Sequence, residues 1–322
     1  MTERSIIFFI AVFVAFTEVT GQEMSYGPGY QTILQNNPAF TGSEGDGYLR
    51  LSYLNFYPGN NYNLNSVFVS YDSYISGIHG GAGFFLADDY LGGIINDLRG
   101  GFSYAYHFQA GKDIFINAGL SASCYYRGFN NGKIILPDQI DPLNGVTYPS
   151  GESITERGRA VFDISTGVMV MTGRFIAALS VIHLTTPELS GSGVQSDRIN
   201  RRLNLNLAGK FDLNTDRKIV ARPVVMAELE SGNVGGGLGT SLENNSFSLS
   251  AVILTGSAKN IDLQAGCSLK TGRILLFYNY KFNLHSNNKM VPASLMHQAG
   301  VTLSLNYVDK RKIINTINFP KL

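Results

Sequence analysis

Apolar and polar residues alternate with a period of two, in run after run, from residue 47 to near the end of the chain. This period is typical of β-strands, because successive side chains of a strand point to opposite faces of its sheet. In one run Leu203, Leu205 and Leu207 share a face, and Asn204 and Asn206 share the other. About fourteen such runs follow one another, each close to the length that a tilted membrane strand needs. They cover residues 48–56, 63–72, 77–87, 97–108, 114–126, 161–171, 174–184, 202–212, 219–229, 233–242, 246–254, 261–269, 273–283 and 296–307.

The first residues have the form of a secretory signal peptide. Arg4 supplies the positive charge, residues 6–16 are apolar, and Gly21 precedes a cleavage site ahead of Gln22. The apolar run is about eleven residues long, well short of the ~20 residues that a transmembrane helix requires. We therefore predict an exported protein whose membrane crossing, if any, is made by strands.

Composition favours a membrane barrel over a soluble β-sandwich, which shows the same alternation. Charged residues make up 15% of the chain, against roughly 25% in an ordinary soluble domain. The net charge of +1 gives no electrostatic reason to expect nucleic-acid binding. The low content of charged residues, the export signal and the long series of strands together predict an all-β fold. We expect a single antiparallel transmembrane β-barrel of about 14 strands. An exported soluble sandwich stays open as a weaker alternative.

Short and long connections alternate along the predicted strands, as in barrels with short periplasmic turns and long external loops. The long connections are residues 88–96, 128–160, 185–201 and 284–295, and the connection at 230–232 is a short exception among them. We predict a signal peptide (1–21), a periplasmic segment that docks at the barrel mouth (22–46), the barrel (47–308) and a periplasmic tail (309–322). The loop 128–160 is predicted to bind a partner; its Asp, Asn and Glu residues fit turn chemistry better than a calcium site.

The sequence gives little support to catalysis or metal binding. The five histidines lack metal-ligand spacing, and no GxSxG motif is present. Cys124 and Cys267 form neither a CxxC motif nor a zinc pattern, and both fall on the apolar face of their strands. We predict a protein that is not an enzyme and has no cofactor.

The other face of the strands, predicted to line the lumen, carries charges of both signs. A polar barrel interior explains most of them without a specific function. Asn, Ser, Gly and charged residues are expected to dominate this face. The charged positions are Arg50, Asp72, Arg99, Asp163, Lys210, Arg222, Glu228, Asp262 and Lys281.

One short stretch before the first strand combines several conformational constraints. In Asn37-Pro38-Ala39-Phe40-Thr41-Gly42, the proline biases Asn37 away from helical angles, and the glycine permits a turn with positive φ. The segment is predicted to be a fixed, non-helical entry into the sheet.

Together with later residues, this stretch resembles the PorP/SprF family of outer-membrane proteins from the type IX secretion and gliding apparatus of the Bacteroidota. The resemblance runs in chain order from about residue 31 to 123. It rests on Asn37, Pro38, Ala39, Phe40 and Gly42, then Arg50, Ser70-Tyr71-Asp72, Gly80-Gly81-Ala82-Gly83, Asp88, Asp89, Gly92 and residues 103–106.

The resemblance implies a non-enzymatic component that supports export or surface attachment of a cognate cargo protein with a C-terminal sorting domain. It also implies an outer-membrane location in a Gram-negative bacterium, contact with membrane lipid, and periplasmic secretion subunits or lipoproteins as partners. Asn37, Pro38, Ala39, Phe40 and Gly42 are then candidates for partner docking. Arg50, Asp72, Asp88 and Asp89 are further candidates of the same kind.

A channel of the FadL type for hydrophobic small molecules remains the alternative. Those barrels are also about fourteen-stranded and carry an Asn-Pro-Ala sequence that lies inside as a hatch. Under this alternative Asn37, Pro38 and Ala39 would plug the lumen. A ligand channel is expected to have apolar residues on its inner face.

Overall fold

The computed structural model describes residues 32–45, 47–58, 64–130, 137–141, 145–146, 158–189, 198–214, 218–256, 260–286 and 294–305. Among these residues, no helix has the length and hydropathy needed to cross a membrane. A short helix α1 (Ile33–Asn36) and 3-10 turns at Pro38–Phe40, Ser76–Ile78 and Pro137–Gln139 accompany the strands. The strands are β1 (Tyr48–Phe56), β2 (Leu64–Ile75), β3 (Gly80–Leu91), β4 (Ile95–Gln109), β5 (Ile114–Phe129), β6 (Ile140–Asp141), β7 (Gly145–Val146), β8 (Arg159–Thr172), β9 (Phe175–Ile182), β10 (Arg202–Gly209), β11 (Phe211–Asn214), β12 (Ile219–Glu230), β13 (Asn233–Glu243), β14 (Phe247–Thr255), β15 (Ile261–Thr271), β16 (Ile274–His285) and β17 (Ser294–Ser304).

The strands close into a 14-stranded antiparallel barrel. β6 and β7 form a separate hairpin, and β10 and β11 together make one barrel strand that is interrupted at Lys210. β1 pairs with β17 along its whole length, with Tyr48 opposite Ser304. β12 pairs with both β10 and β11, which completes the ring. The predicted fold class is confirmed.

The two faces of the wall differ as the alternation requires. Phe102 is 75% exposed and Leu120 is 54% exposed, whereas their neighbours Ser103 and Ser121 are buried. Many Leu, Ile, Val, Phe and Tyr side chains share the outward face, and this is the face that lipid covers in a membrane barrel. Polar wall residues such as Ser103 therefore point inward.

The connections agree only in part with the predicted alternation of lengths. We call the end at which β1 begins the near end, and the opposite end the far end. Connections at the near end are short, for example 173–174 and 272–273, and the longest connections, 130–158 and 183–201, leave the far end. The predicted loop 88–96 is wrong, because β3 and β4 continue until only residues 92–94 remain between them. The short connection at 231–232 is a tight turn in which Ser231 and Gly232 have positive φ.

Several sequence-based predictions fall on residues outside the described part of the chain. These are the signal peptide 1–21, the first residues of the segment 22–46, the tail 309–322, and most of the loop 128–160.

Candidate functional site

The segment from residue 32 to residue 45, which we call the inner segment, lies against the inner face of the barrel wall. Asn37, Ala39 and Thr41 are at most 1% exposed. The 3-10 turn Pro38–Phe40 contacts β4, β5, β8 and β9. The sequence predicted a periplasmic segment that docks at the mouth with a surface available to partners. The described part of that segment is instead covered by the wall.

Local hydrogen bonds give the inner segment its shape. The side chain of Asn37 accepts a hydrogen bond from the backbone N–H of Ala39 at 2.8 Å, and Pro38 begins the 3-10 turn. The Thr41 hydroxyl donates to the carbonyl oxygen of Pro38 at 2.7 Å. Gly42 follows with φ +68°, where a side chain is disfavoured. Asn37 is extended, as predicted, but the predicted non-helical entry is wrong at Pro38–Phe40, which form a capped 3-10 turn. Gly42 in the left-handed region follows this turn.

Glycines of the wall allow the backbone of the inner segment to approach the strands closely. A Cβ atom added at Gly119 would overlap the backbone of Pro38 and Ala39, and one added at Gly81 would overlap that of Thr41. At Gly167 it would meet the side chain of Asn37. These inward positions sit on three strands, β5, β3 and β8, so the wall is shaped to hold this segment.

Hydrogen bonds tie the inner segment to successive strands around the barrel. The carbonyl oxygen of Asn36 accepts from Ser180 on β9 at 2.6 Å and from Asn204 on β10 at 3.2 Å. Further along, Asn117 on β5 donates to the carbonyl oxygen of Ala39 at 3.3 Å. On β4, the hydroxyl oxygen of Ser103 lies 2.9 Å from that of Thr41, and His107 Nε2 lies 3.0 Å from the carbonyl oxygen of Thr41. The segment therefore follows the circumference of the wall from β10 toward β1.

A buried ionic network fixes the end of the inner segment. Asp72 on β2 accepts a hydrogen bond from the backbone N–H of Gly42 at 2.7 Å and also binds the guanidinium of Arg50. Arg50, on β1, reaches Glu44 at 3.0 Å with its other terminal nitrogen. All three side chains are at least nine-tenths buried. Arg50 and Asp72, two of the predicted candidates, are thus joined in one network.

Asp88 and Asp89, two further candidates, lie on opposite faces of β3. Asp89 points inward, where it binds Arg99 at 2.8 Å and accepts a hydrogen bond from Ser66. Asp88 is exposed on the outward face. The two residues therefore cannot serve one docking site.

The interior also contains an apolar cluster that the sequence analysis missed. Ile33, Leu34 and Phe40 of the inner segment are buried in it. The expectation of a mainly polar inner face is wrong in this region, because large apolar side chains of the wall point inward at positions that break the alternation. They are Leu54, Phe68, Phe85, Met169, Met171, Ile176, Val224, Val252 and Met296.

Hydrogen-bonded pairs of side chains fix the roots of the two longest connections at the far end. Arg127, near the end of β5, binds Asp97 at 2.6 and 2.7 Å, and the Tyr125 hydroxyl donates to the same carboxylate at 3.0 Å. On the neighbouring pair of strands, His183 Nδ1 lies 2.7 Å from Asp163. The His183–Asp163 pair was not predicted, since twenty residues separate its members in the chain. Among the described residues, no group of three or more His, Cys, Asp or Glu could hold a metal ion.

A family model described as type IX secretion system membrane protein PorP/SprF matches residues 22–302. The chain belongs to this family. The match includes the whole inner segment and every strand of the barrel up to Thr302 in β17. The resemblance inferred from the motifs is confirmed. No curated protein matches the chain.

Solved outer-membrane barrels share the fold. A deltaS2S3 mutant of the monoaromatic hydrocarbon channel TodX has a TM-score of 0.53 at 13% identity, over 92% of this chain and 98% of that one. The toluene transporter TodX of P. putida has a TM-score of 0.51 at 12% identity, with 92% and 96% coverage. Omp33 of Acinetobacter baumannii has a TM-score of 0.47 at 8% identity, with 82% and 100% coverage. At these identities the likeness to the two TodX structures shows the fold alone.

Proposed function

We propose that this PorP/SprF family member is a non-enzymatic outer-membrane component of a type IX secretion or gliding machinery in a Gram-negative bacterium of the Bacteroidota. In this function it supports export or surface attachment of a cognate cargo protein that carries a C-terminal sorting domain. Signal-peptide export would bring it to the outer membrane, where periplasmic secretion subunits or lipoproteins are further partners. The family match over the inner segment and nearly the whole barrel carries this proposal.

The structure supports a mechanism based on recognition by loops that a rigid barrel presents. The inner segment is bonded to six wall strands, from β10 to β1, and is too deeply buried to be a docking platform itself. The far-end loops are better placed, since the Asp97–Arg127 and Asp163–His183 pairs hold the strand ends from which they leave. Fixing these roots lowers the entropy that a loop loses when it binds a partner.

The connection 183–201 folds back toward the barrel in its described part. Leu189 and Ile199 are 4% and 8% exposed and pack against Tyr125, which is itself buried. The backbone N–H of Ile199 donates to the carbonyl oxygen of Pro187 at 3.0 Å. This connection therefore offers a folded surface, next to the root of the longer connection 130–158.

A pull-down of the tagged protein from its own membrane in mild detergent tests the proposal. We expect recovery of a surface protein with a sorting domain, or of secretion subunits. Replacing residues 131–157 by a short Gly-Ser linker is expected to abolish cargo recovery. The matched control replaces residues 287–293, another far-end connection, and is expected to retain it. Recovery of the barrel alone from wild type would contradict the proposed function.

A channel for hydrophobic small molecules is the second candidate function. One feature of the barrel interior, the apolar cluster, favours it. The apolar cluster surrounds Ile33, Leu34 and Phe40, so displacement of the inner segment would uncover an apolar site. Under this candidate the segment is a hatch. Mass spectrometry of the purified protein would then find a bound apolar molecule, and destabilising the segment would increase uptake of such molecules into proteoliposomes. The channel is rejected if the wild-type protein carries no apolar ligand and destabilising the segment does not change uptake.

A further inference from the structure

A row of polar and aromatic side chains crosses the outward face of five neighbouring strands near the far end. The pairing register places one residue from each of β3, β2, β1, β17 and β16 side by side. All five are partly exposed. We call them the polar row: Tyr90, Asn65, Asn55, His297 and Tyr280.

Hydrogen bonds and ring contacts fix the polar row. The Tyr53 hydroxyl and the Asn55 amide both donate to Oδ1 of Asn65 at 2.7 Å. The ring of Tyr280 lies 4.8 Å from that of His297, whose Nδ1 is 2.5 Å from the Tyr278 hydroxyl. The row is therefore a pre-organised surface of rings and amides, which costs little side-chain entropy when a ligand binds.

Toward the near end, the outward face of the same strands becomes fully apolar in the second row after the polar row, four residues along each strand. The row next to the polar row is mixed, and its member on β3 is Asp88. This carboxylate is exposed and makes no hydrogen bond or ion pair with the described residues. The row after that consists of Leu86, Val69, Leu51, Val301 and Leu276.

An interfacial aromatic belt explains the tyrosines but not the whole polar row. Such belts consist of Tyr and Trp at the height of the lipid headgroups, parallel to the membrane. Barrel strands tilt by roughly 35–45°, so a row perpendicular to the strands is inclined to the membrane by the same angle. The polar row follows this inclined register and contains two amides and an imidazole. It has the chemistry of a recognition surface.

We propose that the polar row and the mixed row bind the neutral sugar headgroup of a glycolipid whose acyl chains lie on the apolar row beyond them. The Asn65 amide nitrogen can donate to sugar hydroxyls, and the Asn55 amide oxygen and the Asp88 carboxylate can accept from them. The Tyr280 ring offers a face for stacking. Neither the polar row nor the mixed row contains Lys or Arg, the residues that phosphate headgroups require. An amphipathic occupant matches the step from polar to apolar surface. The proposal rests on the proposed placement of the barrel in an outer membrane.

Lipid binding to the full-length protein can be measured directly by native mass spectrometry. The protein is delipidated in detergent and equilibrated with phosphatidylcholine vesicles that contain either galactosyl diacylglycerol or phosphatidylglycerol. His297→Ala and Tyr280→Leu alter the polar row. Tyr106→Leu is the matched control, because Tyr106 is an outward tyrosine close to the near end of β4, a strand that carries no residue of the polar row.

We expect galactosyl diacylglycerol adducts on wild type and on Tyr106→Leu, and roughly tenfold weaker binding by His297→Ala and Tyr280→Leu. Equal glycolipid binding by all four proteins would overturn the proposal, as would a preference of wild type for phosphatidylglycerol. The measurement uses purified protein without cargo. A negative result in this lipid-binding measurement can therefore be told apart from a negative result in the pull-down that tests the secretion function.

Discussion

Oδ2 of Asp72 lies 2.7 Å from the backbone nitrogen of Gly42, so a side chain of the wall holds the inner segment where it turns toward the first strand. The same carboxylate binds Arg50, and Arg50 binds Glu44 of the inner segment. One acidic residue of β2 thus joins the segment, the first strand and the second strand.

Replacing Asp72 by Ala is expected to lower the free energy of unfolding by about 3–5 kcal/mol, because it leaves the buried Arg50 guanidinium without its main counter-charge. The loss is measured as a lower midpoint of thermal unfolding in detergent. Asp113→Asn is the control: Asp113 is exposed in a near-end turn, so its replacement is expected to change stability by at most ~0.5 kcal/mol. Equal midpoints for Asp72→Ala and the control would show that the network does not stabilise the barrel.

Replacing Gly119 by Ala is expected to displace the inner segment, because the new Cβ would overlap the backbone of Pro38 and Ala39. The overpacking should lower the free energy of unfolding by about 1–3 kcal/mol. Displacement is measured by maleimide labelling of Thr41→Cys, a buried position, after Cys124 and Cys267 are changed to Ser.

Gly235→Ala is the matched control for this experiment, since its Cβ would lie 3.6 Å from the nearest atom, the carbonyl oxygen of Thr255. Labelling should rise in Gly119→Ala and stay low in the control. Low labelling in both, with unchanged stability, would mean that the wall glycine is not needed to hold the segment.

Replacing Leu120 by Arg places a charge on the outward face of β5, where Leu120 is 54% exposed. A lipid-facing charge at mid-membrane costs about 2–4 kcal/mol. We expect a smaller folded fraction after refolding into lipid vesicles, read from the mobility of unheated samples on gels. Leu120→Met keeps the apolar contact and should refold like wild type. If the folded fraction falls equally in both variants, lipid does not cover this face.

Replacing Asn37 by Ala removes the acceptor for the Ala39 N–H and a donor to the carbonyl oxygen of Leu179 at 3.3 Å. We expect the free energy of unfolding to fall by about 1–2 kcal/mol, because both backbone groups stay buried after they lose their hydrogen-bond partner. Gln109→Ala, at the exposed end of β4, serves as control in the same unfolding measurement. If the two variants unfold alike, the cap of the inner segment is dispensable.

The barrel could be predicted because its signal is local. The alternation within a run defines a strand without knowledge of its partners, and β1 has the predicted bounds Tyr48–Phe56. The predicted loop 88–96 was wrong because Asp88, Asp89 and Gly92 have the composition of a turn. Pairing outweighs that preference: Asp89 binds Arg99 within the sheet and so extends both strands.

The alternation of the strands could not place the inner segment, because its partners are distant in sequence. Only the alternative of a FadL-type channel had placed Asn37, Pro38 and Ala39 inside the barrel. The Asn36 carbonyl oxygen bonds to Asn204, which is 168 positions later. One signal was present. Gly81, Gly119 and Gly167 are glycines on inward positions of their strands, where the missing side chain permits close packing.

The contacts of the inner segment have a consequence for the order of assembly. Its hydrogen bonds and ion pairs reach β1, β2, β4, β5, β9 and β10, and all of these strands precede β12 in the chain. The N-terminal part of the sheet can therefore accommodate the segment while it is still an open, curved surface. A segment that docks at this stage would be enclosed when β17 pairs with β1, without any need to thread it through a finished ring.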